Sequence, residues 1–540
     1  MSTTHQLSSR RFIFLNYHSS AAQKLHLHLA AQGLCLEAIT FDSSLVKKYE
    51  LIESVGLDGI ELVDTTSAWQ SEIGLPGHKV ERSPSAYNLD DLDKAMVDAR
   101  LRLLTWITHR ENYGKGITEL QVNTIMNYSL NNALALLETI RPCLIVSLLA
   151  PCTPFDICIV ALAKELGITT ASLNEVNLSG FYYLTFNQFN HAQDIAALEN
   201  CNIRSSEKET MAVGYLKSFL EETPYYISKD LQKVDSSLEQ DQKDLGIFAE
   251  KSKKKAEKLV ASSGGQILRY TSSELQRIGF ISGRDLKHHV YSQAQKERMR
   301  ADYIQFMKSS MREAEDKPAI LILLDYYPEI TRYPIGGDDY FYSNYFALAK
   351  ILKNSALFNL CSTSMVYVKE HPAMLEVSNH SHPRFGLSGL MKSHGATFVS
   401  PLRKTTSLLL DNPMLVVITG VSNAGVEASL LGHTTVTTSK PWWLCMPNTY
   451  HCNVYSRKVS SFKHSWRQQC TESTSDSPIH EYACGEAERA YSSFILNYCV
   501  NLGVSMSAID TLFFSQADAY CSEFKTIAKA IAARLARKSD

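Results

Sequence analysis

Three short segments hold residue types that can handle a phosphate and a sugar. The first is Thr419-Gly420-Val421-Ser422-Asn423-Ala424-Gly425-Val426-Glu427, between an apolar run and a helical pattern. Its small residues let a ligand approach the backbone, and the unpaired N–H groups of a helix start, with the helix dipole, suit an anion. Thr419 opens the segment, Ser422 and Asn423 add side-chain donors, and Glu427, one turn in, can accept from ribose hydroxyls. A capped helix with an acid in its first turn fits the same residues equally well. The pattern is neither G-x-G-x-x-G nor a P-loop, so it does not signal NAD or ATP by those fingerprints.

The second segment is Tyr367-Val368-Lys369-Glu370-His371-Pro372, at the carboxyl end of an apolar run. Open α/β sheets bind ligands at that end. Lys369 and His371 can both donate to a phosphate, and Pro372 fixes the turn that follows. The third is Leu324-Asp325-Tyr326-Tyr327-Pro328-Glu329-Ile330, also after an apolar run. Its carboxylates can bind sugar hydroxyls or act as a base; as two ordinary loop acids they would pair with Arg332. Other clusters fail. Asp91-Leu92-Asp93 lies in a charged helical stretch, His26 and His28 are two apart, and His288-His289 and His380/His382 lack metal-ligand spacing, so no metal site is indicated. No G-x-S-x-G is present.

These segments need elements to position them. Residues 12–15 and 34–41 read as strands flanking a helix that ends at Gly33, with a weaker strand near 59–63. Asn88–Leu104 and Thr124–Ile140 read as helices. The nearly all-apolar run Leu144–Leu149 reads as a strand buried on both faces. It is followed by a helix with Thr153 as N-cap, Pro154 at the first position and Asp156 at the third. That helix stops at Gly167, and Ile168–Leu173 is the next strand. From about Cys201 to Gly264 charge is dense and the pattern suggests exposed helices, and residues 285–315 read as a polar helix. After Pro318 the alternation resumes, with strands at 319–324, 365–368, 396–399, 415–418 and 434–437 and helices at 345–352, 405–410 and 424–431. Helices are expected again at Gly485–Asn501 and Ser515–Lys538.

The expected fold is therefore α/β, with two Rossmann-like domains facing a cleft, a helical insertion and C-terminal helices. The domains read as 1–200 (N-terminal α/β), 201–316 (charged helical insertion or linker), 317–455 (C-terminal α/β) and 456–540 (helical tail); the resemblance described below implies that the first is the acceptor side and the third binds the nucleotide-sugar.

Composition agrees. The 540 residues suffice for two or more domains, and 45% hydrophobic residues supply their cores. A formal net charge of −2 argues against a dedicated nucleic-acid partner. Twelve scattered cysteines without a C-x-x-C fit reduced thiols. The polar start, Met1 to Arg11, lacks the apolar run of a signal peptide, and no run approaches the ~18 apolar residues of a membrane span. A cytoplasmic protein is expected. Phe524, Ile527, Ala528, Ile531 and Leu535 form an apolar stripe with Lys525, Lys529, Arg534, Arg537 and Lys538 around it. This reads as a helix packed across the domain cleft, with a peripheral contact to anionic inner-membrane lipid left open.

In that order, Leu324–Gly337 (LDYYPEITRYPIGG), Val368–Pro372 (VKEHP), Thr419–Gly432 (TGVSNAGVEASLLG) and Lys440-Pro441-Trp442-Trp443 resemble the bacterial capsule polysaccharide and surface carbohydrate biosynthesis proteins, relatives of the Kdo-transferring capsule enzymes. Ala150–Gly167 (APCTPFDICIVALAKELG) and the strand after it resemble that family's P-H-x-P-F-D segment. The likeness covers about residues 140–185 and 315–450. It implies a GT-B fold, a nucleotide-sugar donor on the C-terminal domain near Lys369, His371, Ser422, Asn423 and Glu427, a glycan or lipid-linked acceptor, and no metal or other cofactor. The chain departs from the pattern at Cys152, where the family usually has His; if that His touches substrate, acceptor chemistry here is altered or activity reduced. A family Glu in the next strand corresponds to Asn174 or Glu175.

The resulting expectation is a glycosyltransferase of capsule or lipopolysaccharide synthesis, with Asp156, Glu329 and His18 as candidate base or nucleophile. Asp156 also reads as a helix-start acid, the reading its place in the first helical turn favours. A polyol-phosphate transferase using a CDP-linked donor would use the same phosphate cradle, and Cys152 keeps a non-catalytic scaffold in polysaccharide assembly or export open.

Overall fold

A computed structural model describes residues 10–17, 20–41, 59–65, 119–148, 153–176, 181–186, 237–262, 283–313, 319–324, 348, 351–352, 364–375, 387–412, 414–439, 441–446, 448–452, 499–501 and 521–539. They build two α/β units, each on its own largely parallel sheet.

In the first unit, β1 (Arg10–Leu15), β2 (Leu34–Phe41), β3 (Glu61–Asp64), β4 (Leu144–Ser147) and β5 (Thr169–Glu175) run parallel in the order 3-2-1-4-5. That is the doubly wound order of nucleotide-binding domains. β6 (Phe181–Thr185) lies antiparallel beside β5. The period of two decides the layers. Phe12, Phe14, Leu144 and Val146 face α1 (Ser20–Ala30), while Ile13, Leu15 and Ile145 face α2 (Glu119–Ile140) and α3 (Pro154–Glu165). Both faces are covered, so the central strand segments Phe12–Leu15 and Leu144–Val146 are apolar throughout. Gly33 and Gly167, read as helix stops, hold φ of 78° and 68°, a region that side-chain-bearing residues rarely adopt.

In the second unit, the helical region of the sequence takes its place. α4 (Leu238–Ser262) and α5 (Gly283–Ser310) pack on each other and on one face of the second sheet. Leu245, Ala249, Tyr303, Ile304, Met307 and Met311 join one core with Ile320, Ile322, Val366 and Val368. The sequence suggested exposed helices here. Their polar surroundings hid a sparse apolar stripe that the sheet covers.

That sheet comprises β7 (Ala319–Leu324), β8 (Met365–Glu370), β9 (Thr397–Phe398), β10 (Met414–Thr419), β11 (Thr435–Thr437) and β12 (Thr449–His451), all parallel, in the order 9-8-7-10-11-12. Renumbered within the unit this is 3-2-1-4-5-6, with the topological switch between β7 and β10. α6 (Leu387–Ser393) belongs to this unit, as do α7 (Thr405–Asp411) and α8 (Ala424–Leu430). Leu408, Leu409 and Ala428 of the last two pack on the sheet's second face, against Leu321, Leu323 and Tyr367.

The chain then returns to the first unit. Cys499–Asn501 form β13, antiparallel to β6, where the sequence suggested the end of a helix. Pairing with an open sheet edge outweighs local periodicity there. α9 (Cys521–Ser539) is helical as expected, but its stripe packs on α1 and the first sheet rather than across a cleft. Arg534 lies over the ring of Phe186, 5.6 Å from its centre. Tyr183 of β6 and Trp442 bring the two units into contact, with ring centres 6.4 Å apart. The helix expected at 88–104 lies outside the described residues. Among the described residues, no helix is long and apolar enough to cross a membrane.

Candidate functional site

The carboxyl edge of the second sheet gathers the ionisable groups. Lys369, near the end of β8, is buried, and its Nζ donates to the Pro401 carbonyl at 3.1 Å. Burial pushes its pKa down to about 8, against the upward pull of Glu427 and Asp241. His371 follows the strand. It keeps part of its surface exposed, yet protein atoms around it and then the Lys369 charge hold its pKa near 3. The imidazole is therefore neutral at physiological pH. Glu427, in the first turn of α8, is pushed up to about 7 by burial, with Lys404 and Lys369 opposing. The ends of β8 and β10, on either side of β7, thus bring the Lys369 ammonium within electrostatic reach of both the His371 imidazole and the Glu427 carboxylate.

The backbone beside them is shaped for close packing. Thr419 is buried as the last residue of β10, and its carbonyl accepts from the Thr438 N–H at 3.1 Å. Ser422 Oγ accepts from the Ala424 N–H at 3.2 Å. Asn423 sits at the N-cap of α8 with helical backbone angles, and its side chain makes no capping bond. Gly425 lies under Trp443; a Cβ there would stand 2.5 Å from the indole ring. Trp443 is fully buried, and its N–H finds no hydrogen-bond partner among the described residues.

The first unit holds a different arrangement. Asp156 has no exposed surface. Thr40 Oγ1 and Thr153 Oγ1 donate to its two oxygens, both at 2.8 Å, and its own N–H donates to Thr153 Oγ1 at 3.1 Å. Thr40 Oγ1 in turn accepts from the Asn16 N–H at 2.9 Å. Asn16 sits at φ 54°, so this bond holds a turn that few residues adopt. One carboxylate thereby ties the ends of β1 and β2 to the start of α3, the helix-start role that the sequence left open for it. Asn174 Nδ2 donates to Ser172 Oγ at 3.2 Å, while its Oδ1 is buried without a hydrogen-bond partner among the described residues.

Of the sequence candidates, Lys369, His371, Thr419, Ser422, Asn423 and Glu427 share one sheet edge. Asp156 lies in the other unit, and His18, Glu329 and Cys152 lie outside the described residues. Sequence reading missed Lys404, Pro401 and Asp241. None has a local signal, since each reaches the cluster only through the fold. Among the described residues no group of three or more His, Cys, Asp or Glu could hold a metal ion.

No family model matches the chain, and no curated protein does. Among solved structures it is similar to the UDP-GlcNAc 2-epimerase from Neisseria meningitidis bound to UDP-GlcNAc, at 10% identity over 90% of this chain and 96% of that one, with a TM-score of 0.22. It is also similar to the UDP-GlcNAc 2-epimerase from Methanocaldococcus jannaschii, at 9% identity over 93% and 97%, with a TM-score of 0.18. Similarities this weak carry no weight for what this chain does.

Proposed function

We propose that the chain is a glycosyltransferase of surface polysaccharide synthesis, which takes a nucleotide-sugar donor at the carboxyl edge of the second sheet. The observation that carries this reading is the convergence of Lys369, His371 and Glu427 beside the switch strand, each with displaced protonation. The ordered sequence segments that resemble the capsule family contain these same residues.

In this reading the Lys369 ammonium and the neutral His371 ring donate to the donor's phosphate. As the glycosidic bond to the nucleotide breaks, negative charge grows on the leaving phosphate. Preorganised donors in a partly dry site stabilise that charge at little reorganisation cost. Glu427 accepts from the ribose hydroxyls. Thr419, Ser422 and Asn423 supply the closely packed segment against which the nucleotide lies. The acceptor, a glycan or a lipid-linked sugar, takes its place on the first unit. His18 and Glu329 are the candidates for its base. Asp156 is instead a positioning residue, since both its oxygens are already held by hydroxyl donors.

A calorimetric screen of the purified protein against UDP, CDP and CMP, followed by turnover with the matching sugar donors, tests this. Binding of one nucleotide and release of it from its sugar conjugate are expected. Turnover only with a CDP-polyol would replace the reading with polyol-phosphate transfer, and absence of any nucleotide binding would leave a scaffold.

A further inference from the structure

β8 ends in alternation. Lys369 points to the face of α7 and α8, where Pro401 receives its ammonium. Glu370 points to the opposite face, toward the α4–α5 pair. There the hydroxyl of Tyr303, on α5, donates to Glu370 Oε1 at 2.9 Å. Both residues are buried, Tyr303 at 3% and Glu370 at 1% exposure. Tyr303 is itself fixed, edge-on against Phe398 of β9 with ring centres 6.1 Å apart. The bond therefore runs from a long helix, through a buried carboxylate, to the residue between the two phosphate-donor candidates.

We propose that Tyr303 is a positioning residue of the site: by holding Glu370 from behind the sheet, it sets the direction in which Lys369 and His371 are presented on the other side. This makes the α4–α5 pair one wall of the site rather than an appended insertion. Asp241 supports the reading. It is buried in the first turn of α4 and acts electrostatically on the Lys369 ammonium, together with Glu427 of α8. Lys404 also acts electrostatically on Glu427 at this corner. The part of the proposal that concerns ligand binding rests on the donor-site reading above.

The test begins without a ligand. Histidine-selective NMR follows the His371 ring, assigned with a His371→Gln variant. In the wild type this ring should stay neutral between about pH 5 and 8. In Tyr303→Phe the strand end loosens, His371 gains solvent, and its ring should begin to titrate in that window. The signal of His433, which is anchored to the Leu409 and Met414 carbonyls at the other end of the sheet, should stay put. Glu370→Leu should reproduce the effect, and Glu370→Gln, which keeps an acceptor for the Tyr303 hydroxyl, should not. If Tyr303→Phe does not fold, the two Glu370 variants carry the test alone. A silent His371 in folded Tyr303→Phe, or identical behaviour of the two Glu370 variants, would overturn the proposal.

A second arm uses UDP and CMP as probes. Tyr303→Phe should weaken the better probe roughly tenfold, the cost of about one misplaced charge-assisted contact, whereas Glu370→Gln, with the Tyr303 hydroxyl still present, should keep most of the wild-type affinity. If His371→Ala leaves affinity untouched, or no probe binds the wild type, the donor-site reading fails. The NMR arm still decides the role of Tyr303.

Discussion

Two carboxylates occupy comparable places in the molecule and differ in what surrounds them. Asp156 and Glu427 each sit in the first turn of a helix that leaves the carboxyl edge of a doubly wound sheet. Asp156 meets hydroxyls: Thr40 and Thr153 take up its two oxygens, and the helix N–H completes the loop. Glu427 meets other ionisable groups, and its proton is held up to about pH 7. Hydroxyl donors to a buried carboxylate satisfy its charged form and fix its orientation. Lysines next to a desolvated carboxylate leave a charge balance that a ligand can tip. The position in the fold is shared and the partner chemistry differs; the proposed donor site rests on that difference.

The largest expected effect breaks the strut. Asp156→Ala leaves two buried hydroxyls without their acceptor and removes the reciprocal cap of α3. It should destabilise the first unit by about 3 kcal/mol in urea unfolding. Nucleotide affinity of the folded fraction should be unchanged; a specific loss of affinity would return Asp156 to the list of chemical groups.

A smaller effect is expected where the site leans on its packing. Gly425→Ala would drive a Cβ into the Trp443 ring at 2.5 Å. Such overpacking should cost about 2 kcal/mol and shift tryptophan emission. An unchanged urea midpoint would mean that α8 can slide, and that its contact with Trp443 does not hold Glu427 in place.

The smallest effect is in acid stability. His371 in the folded chain titrates near 3 rather than 6.5, so between those values the unfolded chain binds more protons. Stability from this group is present above 6.5 and is lost as pH falls toward 3. Glu427 runs the other way. Its folded pKa of about 7 exceeds 4.5, so its contribution is full below 4.5 and falls as pH rises through 7. His371→Gln should flatten the acid limb of a urea-midpoint profile and leave the Glu427 limb intact. A profile unchanged by the substitution would mean that His371 is ordinarily solvated.

Much of the fold was legible because parallel strands are apolar on both faces. Ala319-Ile320-Leu321-Ile322-Leu323-Leu324 is fully buried and needs no partner to identify it. Thr153-Pro154-Phe155-Asp156 announced its helix, since cap, proline and acid are all local. Lys369, His371 and Glu427 could be grouped from sequence because each lies at or shortly after the end of an apolar strand. Other features were not local. The docking of α4 and α5 depends on a thin apolar stripe among charges. Cys499–Asn501 becomes a strand only because β6 has an open edge, and the α9 stripe does not say which sheet it will meet. Lys404, Asp241 and Tyr303 reach the site from 35, 128 and 66 residues away from Lys369 in the chain, counting from their positions in the sequence. No spacing rule spans such distances.

The central claim is that Lys369 binds the phosphate of a nucleotide as an ammonium. Calorimetric affinity for UDP and CMP, measured from about pH 6 to about pH 9 for wild type and Lys369→Met, tests it most directly. Burial sets the ammonium's pKa near 8, and a bound phosphate raises it, so wild-type affinity should fall as pH climbs through and above that value. Lys369→Met should bind roughly 10–100-fold more weakly, with a flat profile over the same limb. Equal affinities with the same pH dependence in both proteins would contradict the assignment.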